Sequence, residues 1–368
     1  MDGRSGGARL FALLLVALAL AACAGALPAA PPATPVRPPV VATVLARQTA
    51  TAVAASATPA PWAGYRLLVA NRGSGDLTIL DPADGRLVGR VAVGEGPWDV
   101  VVAPDGRRAY VSIRLGVAVV DLAGERVVQR IGTSFEAQGL ALTPDGRTLY
   151  VGSRAGGAVA RIDVDSTFAT DLPAGEWVMG LAISPDGRWV LAPGHYSRSL
   201  TVIDAAEGRV VRQLPVDPLG PGPFNLPHYA VISPDGRYAY LPFQGQAIAR
   251  VTLGAWTVEY FPLGIDAHQH GLAISPDGRR LYVVNVDRHQ SLSEIDTADF
   301  RELRRIPLIG PHERVILSPD GRTAFLSGGY TLDGQDIVTV VDLAGEQVRT
   351  LPSGGNLPTG LALAPRRG

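Results

Sequence analysis

Short runs of apolar residues, each about as long as a β-strand, recur along the chain from residue 65 onward and are separated by polar turns. The clearest separator is the tetrapeptide Pro-Asp-Gly-Arg. In a tight turn, proline suits the first corner, aspartate bonds its own backbone and glycine takes a positive φ. Apolar runs flank each copy, as in Gly180–Ser184 and Arg279–Asn285. The pattern therefore predicts hairpins, with two antiparallel strands joined at each tetrapeptide.

The tetrapeptide recurs at intervals of 40 to 49 residues. Its prolines, including that of a degraded last copy, are Pro104, Pro144, Pro185, Pro234, Pro276, Pro319 and Pro365. Within most intervals a third apolar run ends in aspartate, as in Leu200–Asp204, and a fourth follows, as in Arg86–Val91. Four short antiparallel strands per period are typical of a β-propeller blade. We therefore predict an all-β fold, a seven-bladed β-propeller of four-stranded antiparallel blades over residues 64–368.

The order of the runs is offset at the two ends of this region. It begins on a second strand, Tyr65–Asn71, and finishes on a first strand, Thr359–Leu363. We expect these two strands to share one blade, in which the C-terminal strand supplies the inner edge. Such pairing closes the ring and leaves no long open edge.

The segment Ser275–Asn285 reads Ser-Pro-Asp-Gly-Arg-Arg-Leu-Tyr-Val-Val-Asn. It resembles the repeat of the YVTN or YncE-like family of seven-bladed propellers, and the resemblance extends over about residues 65–368. It implies an exported or surface-associated propeller, with lactonases, haem d1 nitrite reductases and nitrous-oxide reductase propellers among its relatives. The repeat asparagine occurs at Asn71 and Asn285 but is replaced at Ser153 and Phe243, so we attach no function to it.

Strand order also predicts which loops share a face. In an up-and-down blade the Pro-Asp-Gly-Arg turns and the aspartate turns lie at one end, which we call the bottom. The loops that leave second strands or enter first strands lie at the other end, the top. All six histidines map to this top face: His195, His228, His268, His270, His289 and His312.

Counting six residues back from each turn proline gives the first residue of each inner strand. These residues should surround the central channel and form the ligand-binding mouth of the top face: Trp98, Gln138, Met179, His228, His270, Glu313 and Thr359. Three interpretations remain open, namely a polar channel mouth, a metal site, and an organic-ligand or lactonase-like site. In the lactonase-like case Glu313 or a histidine would be the base, and Arg314 would stabilise an oxyanion.

A metal site would use His228, His270 and Glu313, from three consecutive blades, with His268 or His312 beside them. Two imidazoles and one carboxylate suit zinc, copper or iron better than calcium. The Asp-Gly pairs of the repeated turns do not suggest calcium loops, because they lack further acids and lie in hairpins.

Glycine follows the first inner-strand residue in four blades, at Gly139, Gly180, Gly271 and Gly360. A crowded centre favours a missing side chain at such a position. Asp99, Tyr229 and Arg314 occupy the same position in the other blades, where they either shape a pocket or fill a gap. The proline-rich insertion at residues 215–226 is on the top face, as a lid or as a rigid surface loop.

The N-terminal region has the pattern of an export signal. Arg4 and Arg9 precede an apolar run, Leu10–Ala22, that is too short to span a bilayer comfortably. The run ends in Leu-Ala-Ala-Cys, which resembles the lipobox of bacterial lipoproteins. We expect a signal peptide at 1–22, lipidation of Cys23, an Ala/Pro/Thr-rich linker at 23–63, and attachment to the outer face of the bacterial membrane or envelope. The alternative is plain secretion with cleavage after Ala24-Gly25-Ala26.

Composition narrows the functional classes. The 33 basic residues are all arginine and nearly cancel 34 acids, so the net charge of −1 argues against a nucleic-acid-binding protein. The single cysteine excludes internal disulfides and a cysteine-based zinc site. We expect a monomeric, membrane-tethered binding or scaffolding module whose top face contacts a protein or small molecule. The alternative is a metal-dependent or lactonase-like enzyme that uses the same face.

Overall fold

The computed structural model describes residues 62, 64–217, 226–244, 247–263, 269–286, 290–328 and 336–366. These residues form strands and turns and include no helix, hence none of membrane-spanning length. The strands are β1 (Tyr65–Asn71), β2 (Asp76–Leu80), β3 (Leu87–Ala92), β4 (Val100–Val102), β5 (Arg108–Ile113), β6 (Gly116–Asp121), β7 (Arg126–Gly132), β8 (Ala137–Leu142), β9 (Thr148–Ser153), β10 (Ala158–Asp163), β11 (Ala169–Pro173), β12 (Ala182–Ile183), β13 (Trp189–Gly194), β14 (Ser199–Asp204), β15 (Arg209–Pro215), β16 (Val231–Ile232), β17 (Tyr238–Pro242), β18 (Ala247–Thr252), β19 (Thr257–Pro262), β20 (Gln269–Ile274), β21 (Arg280–Asn285), β22 (Ser291–Asp296), β23 (Glu302–Pro307), β24 (Arg314–Leu317), β25 (Thr323–Ser327), β26 (Ile337–Asp342), β27 (Gln347–Pro352) and β28 (Pro358–Pro365).

The strands pair into seven antiparallel sheets of four. Six sheets use four consecutive strands, starting with β4, β8, β12, β16, β20 and β24; we call them blades 2 to 7. Blade 1 has the order β28-β1-β2-β3. The protein is therefore a seven-bladed β-propeller, as the spacing of the turns predicts.

Ring closure also follows the prediction. Strand β28 pairs antiparallel with β1, in a register that runs from Tyr65 opposite Pro365 to Asn71 opposite Pro358. The end of the chain thus provides the inner strand of the blade that the start of the propeller begins. Strands β1 and β28 pair with each other along this seam, so neither strand leaves an open edge there.

The repeated tetrapeptide forms the predicted turn between first and second strands. In blade 6 the amide of Gly278 donates to the carbonyl of Ser275, and Gly278 has a φ of +72°. The Ser275 hydroxyl and the Arg279 amide both donate to Asp277. These bonds lower the pKa of Asp277 below its usual value, with the Ser275 hydroxyl contributing most. The aspartate therefore serves the turn, as we expect for these bottom-face acids.

The hydrophobic core of the described residues lies between the blades. Seven clusters of buried side chains each join one blade to the next around the ring. The cluster between blades 7 and 1, for example, contains Leu67, Phe325 and Leu361. Burial of one such side chain contributes roughly 1.5–3 kcal/mol, so every blade depends on both neighbours.

Trp62 precedes the first strand and packs against blade 7. Its ring meets that of Phe325 edge-on, with centroids 6.3 Å apart, and its Nε1 donates to the Thr323 hydroxyl at 3.1 Å. Thr323 begins β25, directly after a Pro-Asp-Gly-Arg turn, so this contact lies toward the bottom face. The predicted signal peptide, Cys23 and nearly all of the predicted linker lie outside the described residues.

Candidate functional site

One residue from each blade stands at the top end of its inner strand. In blade order these residues, which we call the upper layer, are Thr359, Trp98, Gln138, Met179, His228, His270 and Glu313. Six are at most 4% exposed, and only His270 is more accessible. They are the residues that the sequence predicts around the channel, and their ligand-binding role remains a prediction.

Three upper-layer side chains bind other parts of the protein. The hydroxyl of Thr359 donates to the backbone carbonyls of Ala70 and Pro97, each 3.1 Å away. The Gln138 side chain accepts a hydrogen bond from Trp177 Nε1 at 2.8 Å. Trp98 lies beneath the guanidinium of Arg72, 5.4 Å from the ring centroid. Thr359 and Gln138 therefore support neighbouring loops of the top face.

Five aromatic and imidazole side chains form a continuous group, which we call the top-face cluster: Trp177, His195, Tyr196, His228 and His270. The centroid of the His195 ring lies 5.2 Å from that of Trp177, 4.8 Å from Tyr196 and 4.4 Å from His228. The centroid of the His228 ring lies 4.5 Å from that of His270. The cluster thus runs from loops of blade 4 to the inner strands of blades 5 and 6.

Exposure changes along this cluster. Tyr196 is 56% exposed and Trp177 is partly exposed, whereas His195 and His228 are 5% and 3% exposed. The Trp177 and Tyr196 rings lie 4.9 Å apart and are tilted by 47°. The cluster therefore has a solvent-exposed aromatic surface, and this surface packs against buried imidazole rings.

Buried His195 is neutral at physiological pH. Burial lowers the pKa of His195 to about 4. Its Nδ1 lies 3.2 Å from the carbonyl oxygen of Pro227, which can only accept, so Nδ1 carries the proton. Nε2 of His195 is therefore the lone-pair nitrogen, a hydrogen-bond acceptor within the cluster.

His312 contacts a strand of its own blade, blade 7. Its Nε2 is 2.7 Å from the hydroxyl of Thr339 on β26, and burial lowers its pKa to about 4. Among the described residues, no group of three or more His, Cys, Asp or Glu side chains is arranged to hold a metal ion. His268 and His289 lie outside the described residues, as does most of the insertion at 215–226.

The next residue of each inner strand forms a second layer, made of Gly360, Asp99, Gly139, Gly180, Tyr229, Gly271 and Arg314 in blade order. A Cβ on Gly139 would lie 2.6 Å from the Cα of Gly180, closer than real Cβ atoms come. The register of the inner strand shifts at this layer in blades 1, 3 and 6, as expected of a bulge. The crowding that the sequence predicts at these glycines is confirmed.

The three larger side chains of the second layer meet across the channel. The guanidinium of Arg314 lies over the Tyr229 ring, 4.7 Å from its centroid, and forms an ion pair with Asp99. Asp99 also accepts backbone hydrogen bonds from Val100 and Leu140. In the order of blades around the propeller, each of these three residues has a glycine of the second layer on both sides. The missing side chains leave room for the three large ones to converge. These three side chains therefore converge on the propeller axis, and we call them the polar triad.

Glu313 stands directly above the polar triad. Its carboxylate accepts a hydrogen bond from the Tyr229 hydroxyl at 3.5 Å. Burial raises the pKa of Glu313 to about 7, although Arg314, Arg72 and the Tyr229 hydroxyl oppose the change. Burial also raises the pKa of Tyr229 well above its usual value. Glu313 is thus a buried carboxyl group that titrates near neutral pH.

Sequence reasoning names every residue of the two layers but misses Trp177 and Tyr196. Both lie in top-face loops, Trp177 two residues before Met179 and Tyr196 directly after His195. The sequence signal that could have identified them is the presence of aromatic residues in loops of the predicted top face. Their contact depends on two loops of one blade meeting in space, which no local motif specifies.

The fold is shared with several known proteins. Hydrazine synthase of Kuenenia stuttgartiensis is similar with a TM-score of 0.65 and 21% identity, over 83% of this chain and 98% of that chain. The periplasmic gluconolactonase PpgL of Pseudomonas aeruginosa is similar with a TM-score of 0.67 and 22% identity, over 82% and 99%. At these identities the similarity shows a common propeller architecture.

One curated relative is similar in sequence. The chain is 25% identical over 214 residues to antigen Lp49 of Leptospira interrogans. The match covers 52% of this chain and 44% of Lp49, so it spans less than half of that relative. No family model matches the sequence, and membership of the YVTN or YncE-like family remains an expectation.

Proposed function

We propose that this β-propeller is an exported binding module whose top-face cluster contacts a protein or small-molecule ligand. The observation that carries the proposal is the pairing of partly exposed Trp177 with exposed Tyr196 over the buried rings of His195 and His228. Exposed aromatic side chains that are rigidly supported give a large contact area at a low cost in conformational entropy. Such residues often dominate binding energy.

Charged groups border this surface and give it a polar rim. The guanidinium of Arg154 lies 5.6 Å from the Trp177 ring centroid and forms a 2.9 Å ion pair with Glu136. Both charged side chains are more than a third exposed. An aromatic centre within a polar, solvated rim is the usual arrangement of a protein interaction surface.

Truncating the aromatic pair should abolish most of the binding. We expect Trp177→Ala and Tyr196→Ala each to weaken the affinity for a ligand by about tenfold or more, about 1.4 kcal/mol, because each removes a supported contact surface. The measurement is a screen of immobilised peptides and glycans with the purified wild-type chain, followed by titration of any ligand found.

The matched control is Phe168→Ala. Phe168 is a 70% exposed aromatic residue that lies beside an aspartate turn of the bottom face. It should leave affinity unchanged. Equal losses from Phe168→Ala and Trp177→Ala, or a ligand insensitive to both cluster variants, would place binding elsewhere.

Export and lipid anchoring complete the proposal. They are supported by the apolar run that ends at Cys23 and by the absence of any other cysteine in the chain. Two or more acyl chains at that residue would give stable membrane attachment.

We expect the wild-type chain in a bacterial host to partition with membranes, and Cys23→Ala to be released without lipid. Mass spectrometry of the mature N-terminus is the measurement. A wild-type N-terminus at Leu27 with no acyl group would favour plain secretion instead.

An enzymatic alternative rests on Glu313. A buried carboxyl group with a pKa near 7 has the property of a general base that works at neutral pH. The similarity in fold to a gluconolactonase makes a lactone the natural substrate to test. Glu313 would take a proton from water as the oxygen attacks the lactone carbonyl, and would return it to the ring oxygen as the C–O bond breaks. In a metal-dependent form, His228 and His270 would supply ligands to zinc, copper or iron.

This alternative predicts a particular pH profile for gluconolactone hydrolysis. The base acts when deprotonated, so the rate should rise about tenfold per pH unit below 7 and level off above it. Glu313→Gln should remove both the activity and the inflection. The assay is run with and without added zinc, and Glu302→Gln, a change on the outer strand β23, is the control. A rate indistinguishable from the spontaneous reaction at every pH would exclude lactone hydrolysis.

A further inference from the structure

A cavity of about 230 Å³ lies on the propeller axis beneath the polar triad. The third residue of every inner strand lines it: Leu361, Val100, Leu140, Leu181, Ala230, Leu272 and Val315 in blade order. Because all seven blades contribute the same position, the cavity is a section of the central channel and not a gap in one blade interface.

Below the polar triad, the side chains that line this cavity are aliphatic. Val101, Val231 and Ile316, one position further along their strands, extend it toward the bottom turns. These three residues are partly exposed, whereas Asp99 and Tyr229 at the upper end are 3% and 4% exposed. The cavity is therefore accessible from the bottom face and closed above by the polar triad.

The ceiling offers both a donor and an acceptor to a molecule in the cavity. Among the hydrogen bonds of the described residues, Arg314 donates through one amino group, to Asp99, although a guanidinium carries five N–H bonds. The guanidinium of Arg314 packs over the Tyr229 ring, which limits its orientation. Oδ2 of Asp99 accepts from the Leu140 amide and retains a second lone pair.

The charge of the ceiling selects the class of ligand. Arg314 and Asp99 form an ion pair, so their charges cancel within the cavity. An anion or a cation among these aliphatic side chains would lack a partner of its own, and burying such an ion is costly. A neutral head group that accepts from Arg314 and donates to Asp99 satisfies both groups at once.

We propose that this axial cavity binds a small neutral molecule with an apolar body and a hydroxyl or carboxamide head group. Size supports the assignment, because an apolar cavity of about 150 Å³ accommodates benzene. A cavity of about 230 Å³ therefore holds one such ring together with a short polar head. The site is separate from the top-face cluster and opens on the opposite face.

Benzyl alcohol is the probe. Benzoate and toluene are the comparison compounds, because they keep the aromatic ring and replace the hydroxymethyl group with a carboxylate or a methyl group. With eight heavy atoms at about 0.5 kcal/mol each, benzyl alcohol should bind with a Kd of about 1 mM. Benzoate and toluene should each bind at least about fivefold more weakly, because one adds an unpaired charge and the other lacks the head. The measurement is ligand-observed NMR titration of the full chain.

Location is tested by filling the cavity. Val231→Phe should weaken the binding of benzyl alcohol more than about tenfold, whereas Val128→Phe, on the exposed outer strand β7, should not change it. Circular dichroism checks that both variants fold. Intermolecular NOEs from the probe to the methyl groups of Leu140 and Leu361 locate the site in the wild type without any substitution.

Each contrary outcome overturns a stated part of the proposal. Benzoate binding more tightly than benzyl alcohol would overturn the neutral head group. Toluene binding as well as benzyl alcohol would remove any role for the polar ceiling. No binding of the alcohol, or binding without NOEs to Leu140 and Leu361, would overturn the site itself. Binding of the probe should be unaffected by Trp177→Ala, so this result is independent of the top-face function.

Discussion

Deletion of Pro358–Gly368 should lower the Tm of the propeller by about 10 °C or more and produce a chain that aggregates. The deletion removes β28, the inner strand of blade 1, and with it the whole antiparallel pairing to β1. It also removes the buried side chains Leu361 and Ala364 from the clusters that join blade 1 to its neighbours.

The size of the effect follows from these losses. Removal of several buried side chains and a strand ladder costs on the order of 5 kcal/mol. For a domain of this size a loss of 1 kcal/mol lowers Tm by about 2–4 °C, which gives the expected shift. The uncovered edge of β1 then offers unpaired backbone groups to other chains, which promotes aggregation.

Differential scanning calorimetry and light scattering provide the measurement. The control deletes only residues 367 and 368, which leaves β28 intact and should keep the wild-type midpoint. If the longer deletion also melts at the wild-type temperature without aggregation, then the seam does not hold the ring together.

Arg314→Met should destabilise the protein by about 3–5 kcal/mol, because it leaves the carboxylate of Asp99 buried without its cationic partner. The side chain of Asp99 is 4% exposed and that of Arg314 is 19% exposed, so solvent screens the pair weakly. The substitution also removes the guanidinium from the Tyr229 ring. Urea denaturation gives the free energy of unfolding.

Two further variants separate the ion pair from ordinary packing. Arg114→Met breaks a surface pair with Glu95 in which both side chains are more than half exposed, and should cost at most about 1 kcal/mol. Asp99→Asn combined with Arg314→Met should recover part of the stability, because no buried charge is then left unpaired. A cost for Arg314→Met as small as that for Arg114→Met would mean that the triad contributes no buried electrostatic energy.

The fold was predictable because its signal is local and repeated. A turn such as Ser275–Arg279 needs only its own residues to form, and its recurrence sets both the number of blades and the strand order. The offset between Tyr65 and Thr359 then leaves one arrangement in which every blade has four strands. The two layers around the channel follow by counting from each turn.

The candidate site was only partly predictable, because its contacts join residues that are far apart in sequence. Counting identifies Asp99 and Arg314 as exceptions to a glycine position, but their separation of 215 positions in the sequence hides their pairing. Their contact requires the glycines of the intervening blades to make room across the ring. His312 illustrates the same limit, because adjacency to Glu313 in sequence does not reveal its hydrogen bond to Thr339 on another strand.

Trp62 has a mechanical consequence for any pulling force that reaches the propeller through the preceding segment. The force meets the side chain of Trp62, lodged against Phe325 and Thr323 of blade 7, before it reaches β1. Load is thus shared with a neighbouring blade and does not act first on the pairing of β1 with β28.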